Sequence, residues 1–423
     1  LSDGQVIVDS AAEGKVKLVL DGVDLTSSSD SPLVVTQADE VVVILADGSS
    51  NSVADSAASA ADDEQEDAAT AALFSMADLT IAGTGSLDVV GASNDGIASK
   101  DGLVILSGTV SVSAVDDGIR GKDYLVIAGG SVSVDAGGDG LKSDNETQGE
   151  LGWIQVDDGT VTVSAGSDGA DAVGAVNVAG GALTVSRSEE GIEAAQITVA
   201  GGTVEVTASD DGLNATSGSS ASAGGSGGGG DTAQDGVLVT ISGGDVHVIA
   251  GGDGLDSNGS AVISGGTVVV DGPTSAGNGA LDVNGEFAVT GGVLVAGDAG
   301  GMPVAPSADS AQGWVAATLE TSAAAGQLVA LLDADGEVVL SYVVPQTTSY
   351  VVMSSGDIVA GQDYTIAVGD ADGATGVTTG GSRDDLTKAA DVSANEFTGG
   401  GMGGSGEHGA PPGGQPPEGT QQT

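Results

Sequence analysis

Apolar and polar residues alternate in short runs through most of this chain, and the runs return with a fixed step. Val110/Val112, Val132/Val134, Val161/Val163, Leu183/Val185, Val204/Val206, Val246/Val248, Val268/Val270 and Leu294/Ala296 stand between Ser, Thr, Asp or other residues after small Gly-containing turns. This is the period of a half-buried strand. A second run precedes each turn, with apolar columns Leu103, Leu125, Ile154, Val176, Ile197, Val239, Ala261, Phe287 and Ile105, Ile127, Val156, Val178, Val199, Ile241, Ile263, Val289. A third, shorter run follows an acidic-Gly pair, with Ile97, Ile119, Leu141, Ile192, Leu213 and Leu255 as its inward residues.

The acidic residues of those pairs are Asp95, Asp117, Asp139, Asp168, Glu190, Asp211 and Asp253, spaced by 22, 22, 29, 22, 21 and 42 residues. The long steps are ordinary ones carrying insertions, at Asn145 to Leu151 and in the Gly/Ser tract Ser217 to Gly230. A unit this short cannot close a core of its own, so successive units must stack and share one. Three strands per unit predict an all-β chain, a parallel β-helix of about 22 residues per turn. Roughly ten or eleven turns at the ~4.8 Å strand spacing make a rod about 50 Å long.

Four sections are expected: N-terminal turns and cap (1–53), regular solenoid (54–300), a small antiparallel β cap (301–370) and a Gly/Pro-rich disordered tail (371–423). Within the third, Leu328 to Leu332 and Val338 to Val344 flank Asp333-Ala334-Asp335-Gly336 as a hairpin. The acidic run Asp62 to Asp67 reads as a solvated surface loop.

Composition bounds the chemistry. A net charge of −52 repels nucleic acid and anionic membrane surfaces. No cysteine is present, so disulfides and thiolate metal sites are excluded. No stretch is apolar and long enough to span a bilayer, and no export-signal pattern precedes the first β run, so the expectation is a secreted or cell-surface chain whose signal is absent here. His247 and His408 lie far apart in sequence, which argues against a histidine-based catalytic centre. Aromatic residues are 2% of the chain, and the few exposed candidates, chiefly Trp153, Trp314 and the tyrosines, argue against a sugar-stacking platform.

What remains is the acidic corner. Stacking brings Asn94, Asp95, Asp116, Asp117, Asp139 and Asp144 together on successive turns, with Asp210, Asp211, Asp253 and Asp256 as a second region. Like charges held that close call for a cation, and calcium takes six to eight oxygen ligands in adaptable geometry. Against this, Asp-Gly is also a good turn pair, Asp accepting backbone N–H bonds and Gly allowing positive φ. Lys100, Arg120, Lys122 and Lys142, four of nine basic residues, gather on one face of three turns. They either neutralise neighbouring Asp side chains or hold the carboxylates of an anionic ligand.

The series Asn94-Asp-Gly-Ile-Ala-Ser-Lys-Asp101, Val115-Asp-Asp-Gly-Ile-Arg-Gly-Lys-Asp123 and Gly137-Gly-Asp-Gly-Leu-Lys-Ser-Asp-Asn-Glu146 resembles the bacterial secreted carbohydrate-binding domain-containing proteins. Ala72-Leu-Phe-Ser75, Glu190-Gly-Ile-Glu-Ala194 and Ser209-Asp-Asp-Gly-Leu-Asn-Ala215 fit the same pattern. The resemblance covers most of residues 1 to 369. It implies a pectate-lyase-type right-handed β-helix that binds calcium and acidic polysaccharide such as polygalacturonate, in some cases cellulose, without catalysis. It also implies Asp95, Asp116, Asp117, Asp139 and Asp144 as calcium ligands. Two corners depart from the pattern: Asp168-Gly169 is followed by Ala-Asp-Ala, and Gly277-Asn-Gly lacks the acid, so sites are not expected there. Two other functions are compatible with the sequence: a polyuronate lyase with Arg120, Lys122 or Lys142 as base, and an end-to-end associating structural or adhesive surface protein.

Overall fold

A computed structural model describes residues 3–57, 69–218, 232–381, 383 and 385–397. The acidic run 62–67, most of the Gly/Ser tract, His408 and the Pro-rich end lie outside the described residues.

Among the described residues there are strands and no α-helix. Eleven turns of a parallel β-solenoid each carry three strands, and equivalent strands pair turn on turn into three ladders. Ladder one runs from Val6–Asp9 to Leu281–Val283, ladder two from Lys15–Leu20 to Phe287–Val289, and ladder three from Asp24–Thr26 to Val293–Asp298. The alternating pattern predicts this register residue by residue. Ile105 pairs with Ile127, Ile127 with Val156, Val156 with Val178 and Val178 with Val199. These side chains are at most 1% exposed, and each contributes roughly 1.5–3 kcal/mol by leaving water. In two turns ladders one and two share one strand, Ala170–Val178 and Ile192–Val199.

Residues 3–57 already follow the three-strand repeat: Val6–Asp9 pairs parallel with Leu33–Gln37, and Lys15–Leu20 with Glu40–Leu45. No separate cap stands there among the described residues.

Glycines close the turns for two different reasons. Gly130, after ladder two, has φ +89°, a left-handed conformation costly for any side chain. Gly118, the partner of Asp117, is not in that conformation. A Cβ there would lie 2.2 Å from Cγ1 of Val134 and 2.6 Å from the carbonyl of Gly140. Asp-Gly therefore recurs because this corner presses against the core, and not because the turn needs positive φ.

After the last turn the chain reverses. Thr348–Ser354 pairs antiparallel with Val293–Asp298 and on its other side with Trp314–Ala323, so the exposed edge of ladder three is covered. The expected hairpin forms between Gln327–Leu332 and Val338–Val343, with Gly336 at φ +84°. The antiparallel module outlasts its expected end at 370: Asp363–Asp370 pairs with Thr387–Ser393, and Val338–Val343 with Val377–Thr379. Within Thr387-Lys-Ala-Ala-Asp-Val-Ser393 the consecutive Ala389 and Ala390 are buried against the module. Tyr342 ties this module to the solenoid by donating to Oδ2 of buried Asp271 at 2.6 Å, the same oxygen that meets Nε2 of His247 at 2.8 Å.

Candidate functional site

The acidic-Gly corners stack into a ladder of side chains on backbone. Oδ1 of Asp95 accepts the N–H of Asp117 at 3.3 Å, Asp117 that of Asp139 at 2.9 Å, and Asp139 that of Asp168 at 3.0 Å. Further along, Asp211 accepts from Asp253 and Asp253 from Gly279, both at 2.6 Å. The turn-pair function of Asp is thus real. It uses only one oxygen of each carboxylate, leaving the other for different work. Burial, then the neighbouring Asp117, pushes Asp95 up to about 8; burial and then Asp139 do the same for Asp168. Burial raises Asp211 to about 7 and Asp253 to about 6, and it raises Asp117 as well.

Beside this ladder runs a second column on the outer side of ladder one. Register places Ala98, Arg120, Lys142, Asp171, Glu193, Asn214, Asp256 and Asp282 one above another. At its cationic end Lys142 Nζ lies 2.5 Å from Asp139, 3.1 Å from Asp117 and 4.0 Å from Asp171. Burial weakens its hold on the proton, but Asp117 and Asp139 more than offset that, and its pKa is raised. Arg120 makes a bidentate pair with Asp144, Nε to Oδ1 at 3.1 Å and Nη2 to Oδ2 at 2.5 Å, which raises its pKa against the effect of burial. Lys100 sits 5.9 Å from the centroid of the Phe74 ring, its pKa lowered by burial and then by Arg120 and Lys122.

Beyond Lys142 the column carries no cation among the described residues. Carboxylate oxygens of Asp139, Asp168 and Asp171 lie within 4.8 Å of one another, as do those of Asp168, Glu190 and Glu193. Oε2 of Glu193 and Oδ1 of Asn214 are buried with no hydrogen-bond partner, while Asn214 Nδ2 donates to Glu190 at 2.7 Å. Burial, then Glu190, holds Glu193 far above the usual carboxylate range. Burial followed by Asp139 raises Asp171 to about 7, and burial followed by Asp211 raises Asp256 to about 8. Such a set must bind protons or a cation, and an all-oxygen donor set suits a hard divalent ion.

Of the residues named from sequence as ligands, Asp139 is the one that enters a cluster, the one with Asp168 and Asp171. Asp95 and Asp117 lie on the same ladder nearer the basic end. Asp144 is engaged by Arg120. Asp116 and Asp210 are exposed, each one residue before a ladder position, with Oδ1 beside Gly138 and Gly252 respectively. Asn94 precedes Asp95 in the same way, and its carbonyl accepts the N–H of Asp116. Asp211, Asp253 and Asp256 continue the two columns past the clusters. Lys122 is partly exposed at the far edge of the strand.

Asp168, Asp171, Glu190 and Glu193 form the core of the candidate site, although the Asp168 corner is one of the two whose sequence departs from the pattern. The signal was available: Asp171 stands in the register of Lys142 once the 29-residue step is counted as a single turn.

The family model for carbohydrate-binding domain-containing proteins matches residues 1–236. A carbohydrate-binding domain-containing protein of Acetivibrio thermocellus is 34% identical over 113 residues, 27% of this chain and 40% of that protein; this match spans less than half the relative's length. Among solved structures, a polysaccharide lyase-like protein from C. thermocellum, determined as a gadolinium derivative, aligns with a TM-score of 0.40 and 31% identity. The alignment covers 48% of this chain and 77% of that one. With 236 of its 423 residues matched by the family model, the chain belongs to the carbohydrate-binding domain-containing family.

Proposed function

We propose that this chain binds an acidic, polygalacturonate-like polysaccharide outside the cell, through calcium held at Asp139, Asp168, Asp171, Glu190 and Glu193, and leaves the glycan intact. The observation that carries the reading is the pair of three-carboxylate clusters sharing Asp168, next to a Glu193 oxygen that is buried and unpartnered. When bound, calcium supplies positive charge that both protein and uronate carboxylates can share. The protein's own residues fix the geometry. The backbone N–H of Asp168 holds Asp139 by one oxygen, and Lys142 neutralises the Asp117 and Asp139 end of the column.

The reading without catalysis is supported by the state of two of the candidate bases. A lyase needs an unprotonated Arg or Lys at the substrate, and ion pairing raises the proton affinity of both Arg120 and Lys142. One observation favours the lyase reading: Lys100, with its lowered pKa, is a better base than either. It belongs to the turn of Asp95, however, three turns from Asp168, or about 14 Å at the strand spacing. End-to-end association through ladder three is opposed at its last strand, where Thr348–Ser354 already occupies the edge.

Calorimetric titration of calcium into chelator-treated protein tests the reading. Heat of binding is expected from the unmodified chain and not from Asp171→Asn/Glu193→Gln. Equal heats from both would refute the assignment of the site.

A further inference from the structure

We infer that the outer face of ladder two, at Tyr124 and Trp153, is a second carbohydrate site that takes a neutral pyranose chain by stacking. This goes beyond the calcium reading and does not depend on it.

Nine aromatic residues occur in the chain, and seven pack in its apolar clusters. Tyr124 and Trp153 do not. They are partly exposed neighbours on successive turns, in register with Gly102 before them. A Cβ on Gly102 would lie 2.0 Å from Cζ of Tyr124 and 2.4 Å from both Cε atoms. The phenol ring therefore lies face down over that glycine. The Trp153 ring overlaps it, centroids 5.1 Å apart and planes 15° from parallel. The Tyr124 hydroxyl is anchored by donating to Asp78 at 3.3 Å. Aromatic rings laid flat on an outer sheet surface hold no core together. With Gly102 under one face of Tyr124 and the Trp153 ring stacked on the phenol, the outer face of Trp153 is the π surface offered to the C–H face of a sugar.

Charge indicates which sugar. From Gly102 to Gln196 and from Val104 to Thr198, the outward positions of ladder two carry no charged side chain, in a chain with 61 acidic residues. Past the rings they offer amides and a hydroxyl instead: Gln155, Asn177, Gln196 and Thr198. A polyuronate gains nothing from such a face, whereas hydroxyl groups of a neutral pyranose find donors and acceptors beside the stacked rings. The scarcity of aromatics pointed away from a stacking platform, but one tryptophan backed by a stacked tyrosine suffices. Trp314, the other expected candidate, is buried.

Tryptophan emission tests this directly, because Trp314 is 1% exposed and acrylamide therefore reads Trp153. In chelator and at high salt, neutral hexose oligosaccharides such as cellohexaose or mannohexaose are expected to shield Trp153 from quenching. Trp153→Ala should lower affinity for the protecting oligosaccharide about tenfold, the ratio that corresponds to losing one ring's stacking, with Trp153→Tyr retaining most of it. Failure of both oligosaccharides to protect the unmodified chain would overturn the proposal. So would protection that requires calcium, or undiminished binding by a folded Trp153→Ala protein. Loss of polygalacturonate binding alone would refute only the calcium reading.

Discussion

Lys142 shows how one residue can look like a ligand group and serve as a counter-ion. From sequence, Arg120 and Lys142 read equally well as a clamp for uronate carboxylates or as partners of nearby acids. In the structure Lys142 reaches Asp117 and Asp139, and Arg120 pairs with Asp144, which favours the partner role. Lys142→Ala should therefore destabilise the fold by about 3 kcal/mol at neutral pH, because it leaves two buried carboxylates facing each other uncompensated. Part of that loss should return on acidification, which a series of melts at falling pH would measure; a variant as stable as the parent would refute the counter-ion role. The carboxyl groups make a separate prediction. Asp95 and Asp256 have folded pKa values near 8 against an ordinary value of 3.8, both raised chiefly by burial. A raised carboxyl pKa means that the folded state binds more protons than the unfolded one between those values. Their stabilising contribution is complete below pH 4 and is lost as pH rises through about 8. Chelator-treated protein should thus melt at progressively lower temperature from pH 5 to 9, and a melting temperature that rises over this window would contradict the burial described.

At the scale of strands and turns, the repeat was legible because side-chain alternation and step length agree in every unit. Ile127 stands in an unbroken apolar column with neighbours of the same kind above and below. Ile127→Asp should cost several kcal/mol, since a buried charge there has no partner; near-native melting would show the register to be wrong. The corner glycine was legible as a motif but not in its cause, which depends on a contact with Val134 on another ladder. Gly118→Ala should cost about 1–3 kcal/mol through overpacking, whereas Gly149→Ala, with nothing within 4 Å, should be neutral. Equal melting temperatures for the two variants would contradict that explanation. The candidate site was half legible. Its ladder acids announce themselves by Asp-Gly, but Asp171 and Glu193 gain meaning only from the register, which an insertion obscures at Asp168. The strand Thr387–Ser393 escaped notice because its burial does not alternate and Gly-rich sequence flanks it.

For the molecule as a whole, the solenoid separates chemistry by face. Ladder one carries cations and, beyond them, unneutralised carboxylates, while the stretch of ladder two from Gly102 to Thr198 presents uncharged outward side chains and two stacked rings. The central claim is that the carboxylates of Asp139 to Glu193 make acidic-polysaccharide binding depend on calcium. Equilibrium titration of a polygalacturonate oligomer, in calcium and in chelator at the same ionic strength, tests it most directly. The account predicts saturable binding in calcium, its loss in chelator, and its loss in calcium for Asp171→Asn/Glu193→Gln. Binding of equal affinity with and without calcium would contradict it.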